Sequence, residues 1–517
     1  MSNRIEVEVT KALASFPYFI LKNEIKTGYN LYTQELLQIK KNYINYKKGS
    51  DFYPEGSSGD YIPSTIKYKI ARRLLNKEAR FMFSQTPDIV VKQLGTNEEE
   101  KKQIEIYQKI IDEVVKKSHF SKILIQSAKD CFIGKRVACL ADISKKDGIL
   151  LHFYSSLQFY YEMEEGTDRL TKFISFENVT ESKSMNERRY LVNRYEDKNG
   201  TIYMSSIIYT GTGKVETRLI SEKAIDLDYI PAVIITNDGT LEEKRGVSEM
   251  EYLIEQEGGF SKLANADIDS LRKGMNPIRY VVDMNSATTK GLSSSAGSFW
   301  DLKSEQMQEN ASPMVGTLSP QLNHSEVLKA TLNRLESSMY EEIEVPNITA
   351  ETMVGTITSG KALKTLYFPL QTRSDEKMKT WIPCLQAIMS AVIDLALLNA
   401  DLCKEIYTIS DLKRIQYDIN IKEHYALVDD ETEEKQNDMN EINVKARSRH
   451  SYIKKWRPDL TDEQIQEELL QIAVEENMFD TMSMNTQVQD RLSEMTTKNE
   501  IDDNIETIET IEAQNNL

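Results

Sequence analysis

The stretch Asn323–Leu370 constrains this chain most. Leu328, Leu332, Leu335, Met339 and Ile343 recur at steps of four and three. That spacing puts them on one face of an α-helix. Pro346 ends the helix, because a proline biases the residue before it away from helical geometry. Next comes NITAETMVGTITSG, rich in Thr, Ser and Gly, with Glu351 its only charge. A second helix is expected from Lys361. An amphipathic helix, a loop of small residues and another helix therefore stand in series. The loop has little to bury, and ordering it costs about 1–2 kcal/mol per residue in backbone entropy. Gly355 and Gly360 take positive φ readily and are its natural hinges. No catalytic triad or metal-ligand set lies nearby in the sequence, so the expectation is a mechanical part rather than an enzyme site.

A chain of 517 residues is too long for one simple core, and about two to four domains are expected. The net charge is -17. A protein that clamps phosphates should be basic on at least one face, whereas this one, taken whole, should repel DNA. Such a surface suits DNA that slides past. Cys131, Cys139, Cys384 and Cys403 form no C-x-x-C pair and have no neighbouring histidines. Reduced thiols in a cytoplasmic setting are expected, not zinc. The opening MSNRIEVEVT lacks an apolar signal core. The most apolar window, Trp381–Ala400, contains Pro383, Gln386 and Asp394, so it reads as a buried helix rather than a membrane span.

From Ile66 the chain reads as a helix with Ile70, Leu74 and Phe81 on its apolar face. Arg72, Arg73, Lys77 and Arg80 lie on other faces, which is usually a solvated set, the alternative being a subunit or DNA contact. DIVVKQL is strand-like, and NEEEKKQIEIYQKIIDEVVKKSHF returns to helical spacing. From Arg136 the period becomes two. VACLADI, GILLHFYS, LQFYYEM, KFISFENV, YLVNRYE, TIYMSSIIYT and KVETRLI follow, separated by turn signals such as Lys198-Asn199-Gly200. YIPAVIIT is one more strand. From Val247 the period is helical again, through Met250, Ile254, Leu263, Ile268 and Leu271. Gly258-Gly259 sits inside it at about 1 kcal/mol per Gly against Ala, which calls for a close approach or a kink. PIRYVVDM is a strand, and 285–320 is poor in apolar residues. A long apolar helix covers 376–403, IQYDINI is a strand, and DDETEEKQNDMNE starts a solvated helix or linker. SYIKKWRPDLTDEQIQEELLQIAVEE gives two helices, the second with a cap-like start at Asp459–Gln464. Ile501, Ile505, Ile508 and Ile511 keep helical spacing among acids, and a short helix or a disordered tail fits.

Three patterns invite chemistry. Gly355–Lys361 matches G-x-x-x-x-G-K, but Ala362 stands where a phosphate loop needs Ser or Thr for Mg²⁺. Glu242-Glu243-Lys244, with Asp226 or Asp228 upstream, resembles a nuclease set, yet Asp238-Gly239 marks a turn just before it. His119, His152, His324, His424 and His450 show no pairing at helical spacing. Glu341, Glu342 and Glu344 read most simply as a solvated helix end, with a role beside the loop left open.

The order of these parts resembles the portal proteins of tailed bacteriophages, of the siphophage type. YIPSTIKYKIARRLLNKEARFMFSQTP is similar to the family's early helix before a strand. IPAVIITNDG with VSEMEYLIEQEGGFSKLANADIDSLRKGMNPIRYVVD resembles the strand entering the first stem helix and then the clip. SSMYEEIEVPNI with TSGKALKTLYFPL resembles the second stem helix, the tunnel loop and the start of the wing helix. SYIKKWRPDLTDEQIQEELLQIAVEE resembles the crown. The resemblance spans roughly residues 60–480 and rests on shared order, since no pattern is a signature by itself.

That resemblance implies an α+β, multi-domain protomer. Its parts would be an N-terminal wing region over 1–246, helices first and then β-rich; stem helix 1 over 247–275; the clip over 276–320; stem helix 2 over 321–345; the tunnel loop over 346–360; a long wing helix and closing strand over 361–427; the crown over 428–480; and an acidic tail over 481–517. It implies a homo-oligomeric ring, typically a dodecamer, at one capsid vertex, with double-stranded viral DNA passing through it without sequence specificity. The terminase motor, head-completion or adaptor proteins, and capsid and scaffolding proteins would be partners, with no cofactor and no membrane. The location would be the virion, and the host cytoplasm during assembly. Twelve copies at -17 carry roughly -200, much of it screened beyond a Debye length. Channel-loop residues would be Asn347, Thr349, Thr352, Thr356, Thr358, Ser359 and Lys361. Lys361 departs from the family's small or apolar residue between SG and AL, and would bring a positive charge to the channel. In the clip, Phe299 and Trp300 are candidates for its core or a neighbour contact, and Lys303 and Gln306 for partner docking. The rival expectations are an NTPase using Gly355–Lys361, or another capsid or tail scaffold protein.

Overall fold

The computed structural model describes residues 21, 25, 29–54, 62–95, 97–144, 146–180, 184, 187–237, 239–275, 278–282, 314–318, 325–348, 360–400, 412–425, 431–457, 460–461 and 464–474. The chain divides into two compact units, one of 1–358 with 362–427 and the other of 359–361 with 428–517. In the first, α1 (Tyr29–Lys48) and α2 (Ile70–Phe83) precede β1 (Asp88–Gln93). Helix α3 (Glu98–Lys117) has ends that suit its dipole: Asn97 caps it by accepting from the Glu99 N–H, acids fill the first turn, and Lys116 and Lys117 the last. His119, at φ 49°, turns the chain straight into α4 (Phe120–Gly134). That helix is unassigned in the sequence, although Phe120, Leu124, Ala128 and Cys131 already keep helical spacing and are all buried.

The β-rich region follows as expected, and every pairing is antiparallel. Strands β2 (Arg136–Ser144) and β3 (Gly148–Ser155) form a three-stranded sheet with the later β9 (Ala232–Thr236), β2 in the middle. The residues of β2 from Arg136 to Ala141 are all buried, so this strand is covered on both faces, where a period of two leads one to expect one face open. A five-stranded meander runs β4 (Phe159–Met163), β5 (Leu170–Asn178), β6 (Arg189–Lys198), β7 (Thr201–Thr210) and β8 (Val215–Ile225). Asn199 and Gly200, at φ 58° and 85°, make the two-residue turn that pairs Lys198 with Thr201.

Helix α5 (Glu249–Met275) leads to β10 (Ile278–Val282), which pairs with β11 (Met314–Leu318) ahead of α6 (Ser325–Glu342). Helix α7 (Gly360–Leu398) is continuous over 39 residues despite Pro369 and Pro383. It is long and apolar enough to cross a membrane, yet Trp381, Leu385, Ile388, Met389, Val392 and Ile393 are buried in the main core. β12 (Tyr417–Lys422) then returns to β1, pairing Asp88 with Lys422. The second unit holds α8 (Glu431–Asn443), α9 (Arg449–Trp456) and α10 (464–474). Thr461 and Gln464 bond each other's backbone N–H with their side chains, at 3.0 and 3.4 Å, so the cap-like start is a reciprocal capping box. The mixed helix and sheet bears out the α+β class.

Helices α2, α5 and α7 meet at a buried ionic cluster. Arg373 Nε donates to Glu78 at 2.9 Å, and its terminal nitrogen lies 3.4 Å from Glu249. Lys377 Nζ bonds both carboxylates and sits 3.9 Å above the Phe132 ring. Glu78 and Glu249 each keep one buried oxygen without another partner. Burial, then the Glu249 charge, pushes Glu78 up from 4.5 to about 8. Burial would raise Glu249 as well, but Lys377 and Arg373 outweigh it and hold it low.

The cluster sets a pH dependence. Protonated Glu78 contributes stability that is complete below its unfolded value of 4.5 and is lost as pH rises toward about 8. Glu249 does the reverse, and its contribution is lost as pH falls below 4.5. Urea unfolding should therefore show stability declining between pH 4.5 and 8, with a flatter profile in Glu78→Gln. Lys377→Met takes from the buried Glu249 carboxylate the nearer of its two cations and should cost about 3–5 kcal/mol at neutral pH.

Candidate functional site

The candidate site is the α5–α6 pair together with the α6–α7 junction. Antiparallel β10 and β11 leave the end of α5 and return to the start of α6, and the two helices pack against each other. The apolar stripe of α6 is closed at one end only. Met339, Tyr340 and Ile343 are buried, Leu328, Leu332 and Leu335 are half-buried, and Val327 is 70% exposed. On α2, Arg72, Arg73, Lys77 and Arg80 are exposed, as expected of a solvated set. Arg73 reaches Glu336 at 3.5 Å, and Lys77 lies 5.0 Å from the Tyr340 ring, so part of this set faces α6.

Helix α6 ends before Pro346, as the sequence dictates. The Val345 N–H bonds the Tyr340 carbonyl and the Glu344 N–H bonds that of Glu341. This is the Schellman pattern, whose turning residue is usually glycine. Here it is Glu344, at φ 54°. Glu341, Glu342 and Glu344 are all exposed, which agrees with a solvated helix end. Beside them a cavity of about 370 Å³ is lined by Tyr340, Val345, Pro346, Asn347, Leu366 and Pro369, among others.

Asn347 is exposed where the chain leaves this cavity. Helix α7 begins on Gly360, one residue earlier than expected, so Gly360 is a helix start and not a loop hinge, and Lys361 is the second helical residue. Thr349, Thr352, Thr356, Thr358 and Ser359 lie outside the described residues, as do Phe299, Trp300, Lys303 and Gln306. The Gly355–Ser359 part of the phosphate-loop-like stretch does too. Glu242-Glu243-Lys244 stands in an exposed turn, with Glu243 accepting from the Thr240 N–H and hydroxyl. Among the described residues no three His, Cys, Asp or Glu side chains gather to hold a metal.

One arrangement has no counterpart in the sequence reading. Residues 62–69 are extended, not helical, so α2 begins at Ile70 rather than Ile66. The cause is a ladder of side chains on α5. Asp269 accepts from the Ser64 N–H at 3.0 and 3.1 Å. Asn265 accepts from the Ile66 N–H at 2.8 Å and donates to the Ile66 carbonyl at 2.7 Å. Ser261 accepts from the Tyr68 N–H at 3.3 Å. Glu257, 1% exposed, accepts from Ser50 and from the Ala71 N–H. Every fourth residue of the helix thus serves Ser64, Ile66 and Tyr68 in steps of two, and then Ala71 in the first turn of α2. The i, i+4 polar stripe Glu257, Ser261, Asn265 and Asp269 is the signal that would have found it. A Cβ on Gly258 would lie 3.1 Å from the Asp51 carbonyl, so a passing loop explains this glycine; nothing in the structure explains Gly259.

A protomer built from two paired helices, a β-ribbon joining their ends and a small-residue loop is a structural part. A family model described as phage portal protein, SPP1 Gp6-like, matches residues 21–481. The chain belongs to this family, which bears out the resemblance seen in the sequence. No curated protein matches it. Portal proteins are structural head-to-tail connectors of the virion, homo-oligomeric rings at a capsid vertex that pass DNA.

Two substitutions test the local geometry. Glu344→Gly removes the left-handed penalty and should raise stability by about 1 kcal/mol, read as a higher melting temperature. Asn265→Ala removes both bonds to Ile66 and should cost about 1–3 kcal/mol, with faster amide exchange at Ile66.

Proposed function

We propose that this chain forms the channel through which viral DNA is packaged and ejected. In this reading α5 and α6 are the stem, 276–320 the clip, 346–360 the tunnel loop and 428–480 the crown. The observation that carries it is the series α5, ribbon, α6, α7, in which two paired helices are joined through antiparallel β10 and β11, with a small-residue stretch of sequence between α6 and α7. The half-covered stripe on α6 supports burial against a neighbouring protomer in a closed, dodecameric ring. Threonine and serine hydroxyls in the loop would touch DNA weakly and without base readout. The net charge of -17 favours sliding over clamping. Terminase during packaging, and head-completion proteins later, would dock on the clip through Lys303 and Gln306. Capsid and scaffolding proteins would surround the ring in the host cytoplasm.

Electron microscopy of the purified protein should show rings with a central hole, and stable monomers across salt and magnesium conditions would count against the proposal. Replacing Thr352 and Thr356 by bulky residues should impair DNA passage while rings and motor docking persist. Lys303→Ala with Gln306→Ala should weaken docking and leave the ring intact. ATP should bind neither the parent chain nor Lys361→Ala; binding lost in the variant would favour the NTPase reading.

A further inference from the structure

The described residues of the second unit bury little. Among its described residues only Asp438 and Ile465 are buried, and α9 buries none. Met439, Leu470 and Val474 are 49%, 68% and 56% exposed. Helices α8, α9 and α10 line a groove of about 620 Å³. Its apolar wall is Met439, Ile442, Tyr452, Ile453, Trp456 and Ile472, and Lys435, Arg449 and Arg457 bring positive charge to it. Glu468 is the acid on the lining, and it pairs with Arg457 at 3.3 Å.

The wall is held in place. Trp456 Nε1 and Lys455 Nζ both donate to one Asp438 oxygen at 2.8 Å, and Arg447 donates to the other at 2.5 Å. Lys435 Nζ stands 4.8 Å from the Trp456 ring centre. This geometry fits a ligand with one apolar face and acidic flanks. An amphipathic helix laid in an apolar groove is a recurring way to meet that demand.

The chain carries such a segment. In Glu500–Glu512, Ile501, Ile505, Ile508 and Ile511 fall on one helical face. Glu500, Asp502, Asp503, Glu506, Glu509 and Glu512 surround them, with no Lys or Arg between. About 25 residues lie between residue 474 and the segment, and even a few of them, at up to ~3.3 Å each, are long enough to bring it back to the groove. We propose that Glu500–Glu512 docks as a helix in the groove of α8, α9 and α10, its isoleucines on the Ile442–Ile453–Trp456 wall and its acids toward Lys435, Arg449 and Arg457. Tethering makes the partner's effective concentration about millimolar, so modest affinity suffices.

The test uses a chain ending at Asn499 and a synthetic peptide of Glu500–Leu517. The peptide should change Trp456 fluorescence saturably, and Trp456→Phe should abolish the change. Lys435→Glu with Arg449→Glu should weaken binding roughly tenfold or more, because both charges facing the segment's acids are reversed. An Ile505→Ser, Ile508→Ser peptide should fail against the same protein, whatever the protein variants do to folding. The full-length chain should respond far less, its own tail competing. No saturable signal, equal binding of the serine peptide, or an equal response from the full-length chain would each overturn the proposal. Dissociation of rings by the peptide, read as mass in the same samples, would assign the groove to a neighbouring copy and also overturn it. Ring formation itself is measured apart, so the channel reading stands or falls separately.

Discussion

The cluster of Glu78, Glu249, Lys377 and Arg373 ties together three helices that are far apart in the chain. Burying ions costs several kcal/mol each, and close pairing repays that only when every partner is present. The cluster therefore supplies little net stability and much specificity. An apolar contact would let α2, α5 and α7 slide or rotate past one another; this one accepts a single arrangement. Glu249 opens α5, so the cluster also fixes where that helix starts and which way its polar stripe points. Asn237 Nδ2, at 3.3 Å from the same carboxylate, brings in the chain just after β9.

The strands were legible because most bury one face, and alternation survives in the residues. Asn199-Gly200 fixed one hairpin in the same way, since only that turn chemistry tolerates positive φ twice. The helices were harder. Helix α4 has its last four residues, Cys131–Gly134, all buried, which blurs the polar face a periodicity search looks for. Residues 66–69 have good helical periodicity and are extended anyway, because their backbone finds its partners on α5. Local pattern cannot register a competitor nearly 200 residues away.

The site was legible as an order of parts and not as a geometry. Proline at 346 and the small-residue run announced the junction between α6 and α7. Nothing in the residue types announced that Glu344 would take the turning conformation, because the pattern favours glycine there. In α7, Pro383, Gln386 and Asp394 already argued for a protein core over lipid, and the structure adds a charge that no residue type announced as buried. That charge is Lys377, at 3% exposure, neutralised by acids from other elements.

The ladder on α5 has a length limit written into it. Two residues of extended chain advance about 6.6 Å, and four residues of helix about 6.0 Å. The two scales act as a vernier and drift apart by roughly 0.6 Å at each rung. Past Tyr68 the chain turns into α2 at Ile70, so the next bond, from the Ala71 N–H to Glu257, comes after three residues rather than two. A strap of this size resists the two directions of pull differently. Peeling from one end opens rungs singly. Force along the axis of α5 loads all of them together, and that is the direction in which the strap is strong.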